Sequence, residues 1–486
     1  MPSNPLAGSR GRALNALTPA AGFLLLLALH FRWVLTHFSS DGYLYDSGWL
    51  AYLFASGDPL IHNPSSINGL SFYAHHLSPH IFLFGAPLAR LGLNGFQILA
   101  LHQGLFFGLF FVGAWLLATA APRDTPGRTL VMGSAILIGA AANALFQAAG
   151  YPHYEIALLS LTSLALAAWI RGEHRLFFFL LAWLPLVRED GGFYAAYLCL
   201  VCAILAFGHE PADRARAVRL AAMAAIAAAI AVVSVLAKPK LFPGFDAFAM
   251  NFSGHHWNHV TAGFVVERLR ATAANPNIVP VLVGVAVLGA CDVRYLLGFA
   301  LMTPLYALYM VSVRPEHGHF TLYFALPWLL PPIVWIAVYV RRARSQPPAR
   351  LEGLAILAVS LALAAPVQAA ARVPGNSWYV AEWALRRRVV DLHAIQQFSR
   401  AALDVARRDA AARRRACASM GIAALVPNSL QPDEVVDGSR ALANCEVVLL
   451  LNGDMSYGPL RARAEDDGFH RVLSRYTAEL WQRQTK

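Results

Sequence analysis

Long apolar runs broken by short charged segments repeat along the chain from residue 13 to residue 371. The runs are too long for strands, and uncharged runs near 20 residues match the thickness of a bilayer. The pattern predicts eleven helices, at 13–36, 96–121, 129–149, 154–171, 174–187, 192–208, 217–237, 277–291, 295–313, 319–340 and 351–371. A further run, PHIFLFGAPLARLGL at 79–93, is short and carries Pro87 and Arg90. It reads as a re-entrant or interfacial segment rather than a crossing. Beyond 371 the pattern changes. The polar stretch 378–415 reads as helical, GIAALV (421–426) and EVVLLL (446–451) as strands, and the region near 467–482 as a last helix. The expected organisation is a membrane domain over 1–371, with a first outer loop at 37–95, and a small α/β domain over 372–486.

Composition agrees with the pattern. The 486 residues are 57% hydrophobic and 14% charged, against about 25% charged in soluble domains. The fold class is therefore an all-α polytopic membrane protein with a small α/β tail. The net charge of +11 points to topology rather than to nucleic acid, because the arginines sit in short loops. These are 122–128, 171–175, 209–219, 292–294 and 341–350. If 79–93 does not cross, all five share the side of the N-terminus, which the positive-inside rule makes cytoplasmic. Arg10 and Arg12 precede a first run long enough to be retained as a helix. By parity the tail is extracytoplasmic; its Arg-rich segments 386–388 and 407–415 lie mostly beyond the reach of that rule.

The opposite face gathers ionisable residues. It holds Asp41, Asp46, His62, His75, His76 and His80, then His153 and Glu155, then Arg188, Glu189 and Asp190 in LPLVREDGGFYAAYL. It also holds Lys238, Lys240, Asp246, His255, His256 and His259, and Arg314, Glu316, His317 and His319. Arg175 to Arg188 is about 20 Å of helix and Glu155 to Arg171 about 24 Å, both short of a core of about 30 Å. These ends are expected beneath the surface, where ionisable groups mark function. His255 and His259 would share a helix face as two metal ligands could, but water or phosphate contacts suit them better. Cys417 and Cys445 are a candidate disulfide in an oxidising compartment. Cys199 and Cys202 lie in an apolar helix and read as core. No phosphate-binding loop or dinucleotide fingerprint occurs.

The segments YDSGWLAYLF (45–54), HLSP (76–79), HYE (153–155), RED (188–190) and HFTLYFALP (319–327) resemble, in that order, a family of prokaryotic membrane proteins, domain of unknown function 2079. Tyr154, Leu77 and Arg188 depart mildly from that family's pattern. The family is grouped with the GT-C-type glycosyltransferases. The resemblance implies a cell-envelope enzyme in the bacterial inner membrane, using a polyprenyl-phosphate-linked sugar on the extracytoplasmic side. Asp46 matches the position of the usual catalytic Asp in the first outer loop.

The resulting expectation is an inverting transfer. Asp46 is the general base on an acceptor hydroxyl. Arg188, Lys238, Lys240, Arg314 and His319 are the cations available to the departing phosphate. Glu155, Glu189 and Asp190, with His76 and His153, line the sugar site, and the acids are also the candidates for a divalent metal ion. The rival readings are a lipid or solute transporter, which would need a midplane site open to both sides, and a non-catalytic scaffold or sensor acting through its tail.

Overall fold

The computed structural model describes residues 5–37, 47–63, 71–207, 210–245, 250–252, 257–344, 350–364, 392–408, 415–427, 429–436, 442–452, 457–475 and 477–484. Asp41, Asp46, Asp246, His255 and His256 lie outside the described residues.

The chain opens with α1 (Pro5–His37), α2 (Ser47–Ala55), α3 (Pro79–Arg90), α4 (Gly95–Thr119), α5 (Arg128–Ile136) and α6 (Asn143–Ala149). It continues with α7 (Ile156–Arg171), α8 (His174–Val187), α9 (Gly191–Ala206) and α10 (Pro211–Leu241). Then come α11 (Ala262–Ala274), α12 (Val279–Cys291), α13 (Thr303–Met310), α14 (Leu330–Ala343) and α15 (Arg350–Ala364). Every apolar run expected to be helical is helical over at least part of its length.

By length and apolarity, five of the described helical stretches can each cross a membrane, or seven if two bent pairs each count as one span. The bent pairs are α11 with α12, at 78°, and Val293–Ala300 with α13, at 41°. α7, α8 and α9 are apolar but shorter, at 16, 14 and 16 residues. The protein is thus a multi-pass membrane protein. The segment 79–93 is a 12-residue helix, α3, started by Pro79 at its first turn.

Helix contacts in an apolar bundle need close backbones more than large side chains. α4 supplies them with Gly104 and Gly108, one turn apart. A Cβ on Gly104 would lie 2.5 Å from the Leu27 carbonyl oxygen, and one on Gly108 would lie 2.6 Å from the Phe23 ring. α1 therefore packs directly on α4, and His30 stacks on Phe107 with centroids 3.8 Å apart. Trp33 Nε1 then donates to the Ala149 carbonyl at 2.7 Å, tying α1 to α6.

The tail has α16 (Leu392–Arg408), β1 (Ala416–Ser419), α17 (Met420–Leu425), β2 (Val435–Val436), β3 (Val447–Leu451), α18 (Tyr457–Asp466), β4 (Phe469–Arg475) and β5 (Ala478–Arg483). The sheet order is β2-β1-β3-β5-β4. β1 is parallel to β2 and β3, whereas β5 is antiparallel to both β3 and β4. Two expectations are corrected. GIAALV is not a strand; it belongs to helix α17, while the strand lies just before it. The last segment is not a helix but the hairpin β4–β5. Cys417 and Cys445 are joined, their Cα atoms 5.8 Å apart.

α17 packs on α2, and Ala424 lies 3.1 Å from where a Cβ on Gly95 would sit. Arg171, at the far end of α7, donates to the Leu116 carbonyl near the other end of α4. The tail therefore rests on the end of the bundle opposite Arg171.

Candidate active site

α7 begins just after Glu155 and α8 ends just before Arg188, so both residues meet at the end of the bundle opposite Arg171. The guanidinium of Arg188 joins two carboxylates. It pairs with Glu155 through Nη1, and with Asp190 through Nη2 and through Nε at 2.6 Å. Arg188 and Glu155 are both buried. His153 stands against the second Glu155 oxygen and stacks on Tyr323, centroids 4.3 Å apart.

Glu189, the middle residue of the triplet, turns to different partners. Its carboxylate meets Lys238 Nζ at 3.1 Å and His76 Nδ1 at 3.2 Å, and accepts from the Leu77 amide at 3.0 Å. Lys238 also donates to the His75 carbonyl at 2.7 Å. Ser78 Oγ donates to the Val187 carbonyl at 2.6 Å, pinning the 75–78 loop to the end of α8. The glycines after the triplet are required by packing. A Cβ on Gly191 would collide with the Leu184 carbonyl, and one on Gly192 would lie 2.6 Å from the Ala227 carbonyl of α10. Close approach of α8, α9 and α10 thus brings Lys238 to Glu189.

Beside Arg188 a narrow cavity is lined by Glu155, Arg188, Tyr194, Tyr309, Tyr323 and apolar residues. Its wall includes the segment before α14, where Phe320 and Leu322 hold φ of 50° and 56°. The left-handed region is uncommon for bulky side chains, and such strain persists only where surroundings enforce it. Asn275 does so in part, donating to the His319 carbonyl at 2.7 Å.

The structure thus joins His76, His153, Glu155, Arg188, Glu189, Asp190 and Lys238 in one cluster. Lys240 is exposed at the end of α10. Arg314 and His319 precede the left-handed residues Phe320 and Leu322 in the chain and do not join the cluster. Arg314 Nη2 meets Met250 Sδ at 3.0 Å, and His319 meets Glu267 at 2.7 Å. His259 meets the Val311 carbonyl at 2.8 Å instead of a paired histidine. Tyr194, Tyr309 and Tyr323 were not singled out from sequence. Tyr323 had a signal in its place in HFTLYFALP, and Tyr194 in its place four residues after Asp190 in LPLVREDGGFYAAYL.

A divalent cation does not fit the cluster. Each carboxylate already has cationic partners, and among the described residues no three His, Cys, Asp or Glu side chains converge to hold a metal. A metal would have to displace Arg188 or Lys238, and no step below uses one.

No family model matches the chain, and no curated protein matches it. Among solved structures it aligns with the arabinofuranosyltransferase AftD from Mycobacteria, determined by single-particle cryo-electron microscopy, with a TM-score of 0.46 and 14% identity. The alignment covers 98% of this chain and 40% of that one, so the chain spans less than half of that protein's length. At this score and identity the likeness assigns no activity.

Proposed function

We propose that the protein is a membrane glycosyltransferase of the GT-C type, moving a sugar from a polyprenyl-phosphate donor to an extracytoplasmic acceptor with inversion. The observation that carries this reading is the buried Glu155–Arg188–Asp190 group with Lys238, Glu189 and His76 beside it, at one end of three short apolar helices. A lipid-linked sugar needs such a place. Its tail lies in hydrocarbon while its polar head reaches charged groups below the surface.

The charge balance assigns roles. Arg188 and Lys238 face three carboxylates, so both cations are already matched by acids. That suits sugar hydroxyls and the positive charge that develops on the ring of an oxocarbenium-like transition state. It does not suit a phosphate. Lys240, Arg314 and His319, outside the cluster, are the better partners for the departing phosphate, as charge-assisted donors. Arg188 and Lys238 then act chiefly by holding the acids.

In the transfer, the acceptor oxygen bonds to the anomeric carbon as the bond to the phosphate oxygen breaks on the opposite face. The phosphate leaves with the bonding electrons. Asp46 takes the hydroxyl proton. It immediately precedes α2, whose Trp49 meets His75 at a centroid distance of 6.2 Å. The His75 carbonyl in turn holds Lys238.

Mass spectrometry of lipids retained by the purified protein tests the reading. A bound polyprenyl phosphate supports it; a protein that neither retains nor binds added polyprenyl phosphate overturns it. Asp46→Asn is expected to abolish transfer of a lipid-linked sugar while the melting temperature stays unchanged. Retained transfer removes Asp46 from its role.

A further inference from the structure

The rim of the bundle opposite the acid–base cluster carries a second charged concavity. Its lining is Arg171, His174, Arg216, Arg341 and Arg344, with Trp169, Ile170, Gly172 and Ala206. Among these described residues there is no Asp or Glu. The depression has a volume of about 230 Å³ and is open to solvent.

Its arginines come from three places in the chain, and helix ends hold them there. Arg171 closes α7, and Gly172 follows in the left-handed conformation (φ 81°), turning the chain sharply into α8. Arg171 donates to the Leu116 carbonyl at 3.0 Å and to Thr119 Oγ1 at 2.9 Å. Arg341 donates to the Leu205 carbonyl of α9 at 3.2 Å, and Arg344 to the Ala120 carbonyl at 3.5 Å. The carbonyl ends of α4 and α9 therefore position the guanidinium groups through partial charges only. No full negative charge among the lining residues balances them. Burial first, and then the charges of Arg341 and Arg171, hold Arg344 below its ordinary pKa. Glu173, exposed in the adjoining turn, acts on Arg171. Like charges gathered this way are stabilised by an anion that can accept several N–H donors at once, as a phosphate does.

The surroundings name the carrier. Leu176, Phe178, Phe179 and Phe207 are exposed apolar residues just beyond the depression, on α8 and after α9. On a membrane protein such a face meets acyl chains, and Trp169 sits where aromatic side chains mark the interface. Basic pockets between helices at this depth suit anionic headgroups.

We infer that Arg171, Arg216, Arg341 and Arg344 form a binding site for the phosphate of an anionic membrane lipid, separate from the acid–base cluster.

Melting of the delipidated full chain in neutral detergent tests the site, since a ligand that binds the folded state raises the melting temperature. Phosphatidylglycerol is expected to raise it by several degrees, with phosphatidylcholine and inorganic phosphate at equal phosphorus far less effective. Arg216→Gln with Arg344→Gln is expected to remove most of that shift. Arg214→Gln, an equal charge loss on α10 outside the depression, is expected to keep it. Equal protection by inorganic phosphate overturns the lipid as carrier, and a full shift in the double variant overturns the site. Should the loss of Arg344 impair folding, Arg216→Gln alone decides: its side chain is exposed, and an undiminished shift in that variant also overturns the site.

Discussion

Two arginines at opposite ends of the bundle are held in nearly the same way. Arg188 lies between Glu155 and Asp190. Arg342 lies between Glu352, at 3.0 Å, and Asp292, at 3.3 Å. The surroundings differ. Around Arg342 the network is closed: Tyr295, fully buried, donates to Glu352 at 2.5 Å, and Trp335 donates to the Tyr295 carbonyl at 2.8 Å. None of the cavities described above is lined by it. Around Arg188 a cavity opens, three tyrosines line it, and a second ion pair adjoins. A buried arginine between two acids is therefore no mark of a site by itself. What distinguishes the Arg188 network is the narrow tyrosine-lined cavity beside it and the second ion pair, Lys238 with Glu189, at its edge.

The sharpest test removes Arg188. Arg188→Ala leaves two carboxylates without their cation, one of them buried, and is expected to destabilise the fold by about 3–5 kcal/mol. Denaturant unfolding in detergent measures it. A loss no larger than that of an exposed pair would mean that water reaches Arg188 freely. Next, Glu352→Gln keeps an acceptor for Tyr295 but loses the charge facing Arg342. It is expected to cost about 1–3 kcal/mol and to leave sugar transfer intact, whereas Glu189→Gln is expected to remove transfer. If both variants lose transfer alike, the two networks are not functionally distinct. The smallest effect belongs to Arg294→Ala. Its side chain is 43% exposed in its pair with Asp292, so less than about 1 kcal/mol is expected. A larger loss would make Arg294 an integral part of the closed network.

The helices were legible because their apolar runs are long: 174–187 coincides with α8, and 192–208 lies within two residues of α9. The tail was less so, since short apolar runs have no decisive period. GIAALV has the length of a strand but forms a helix against α2. FHRVLSR and AELWQR look mixed in sequence and pair as strands only because β3 offers an edge. At the site, the grouping of charges on one face could be read from loop order. The pairing of His76 with Glu189, 113 residues apart, could not, because it depends on how α3, α8 and α10 dock. The tyrosines lay hidden for the same reason: an aromatic in an apolar run looks like core until a cavity opens beside it.

The 14- and 16-residue lengths of α7, α8 and α9 carry a consequence for the lipid phase. At 1.5 Å per residue they measure about 21–24 Å. Hydrophobic mismatch against a hydrocarbon layer of about 30 Å costs fractions of a kcal/mol per Å and is relieved by local thinning. α7 and α9 are buried within the bundle and only α8 carries a run of exposed apolar residues, so it is around α8 that the bilayer thins into a collar of deformed lipid. Such a collar lowers the barrier to bringing a polar headgroup toward Arg188, so chain length in the surrounding membrane becomes a control on access.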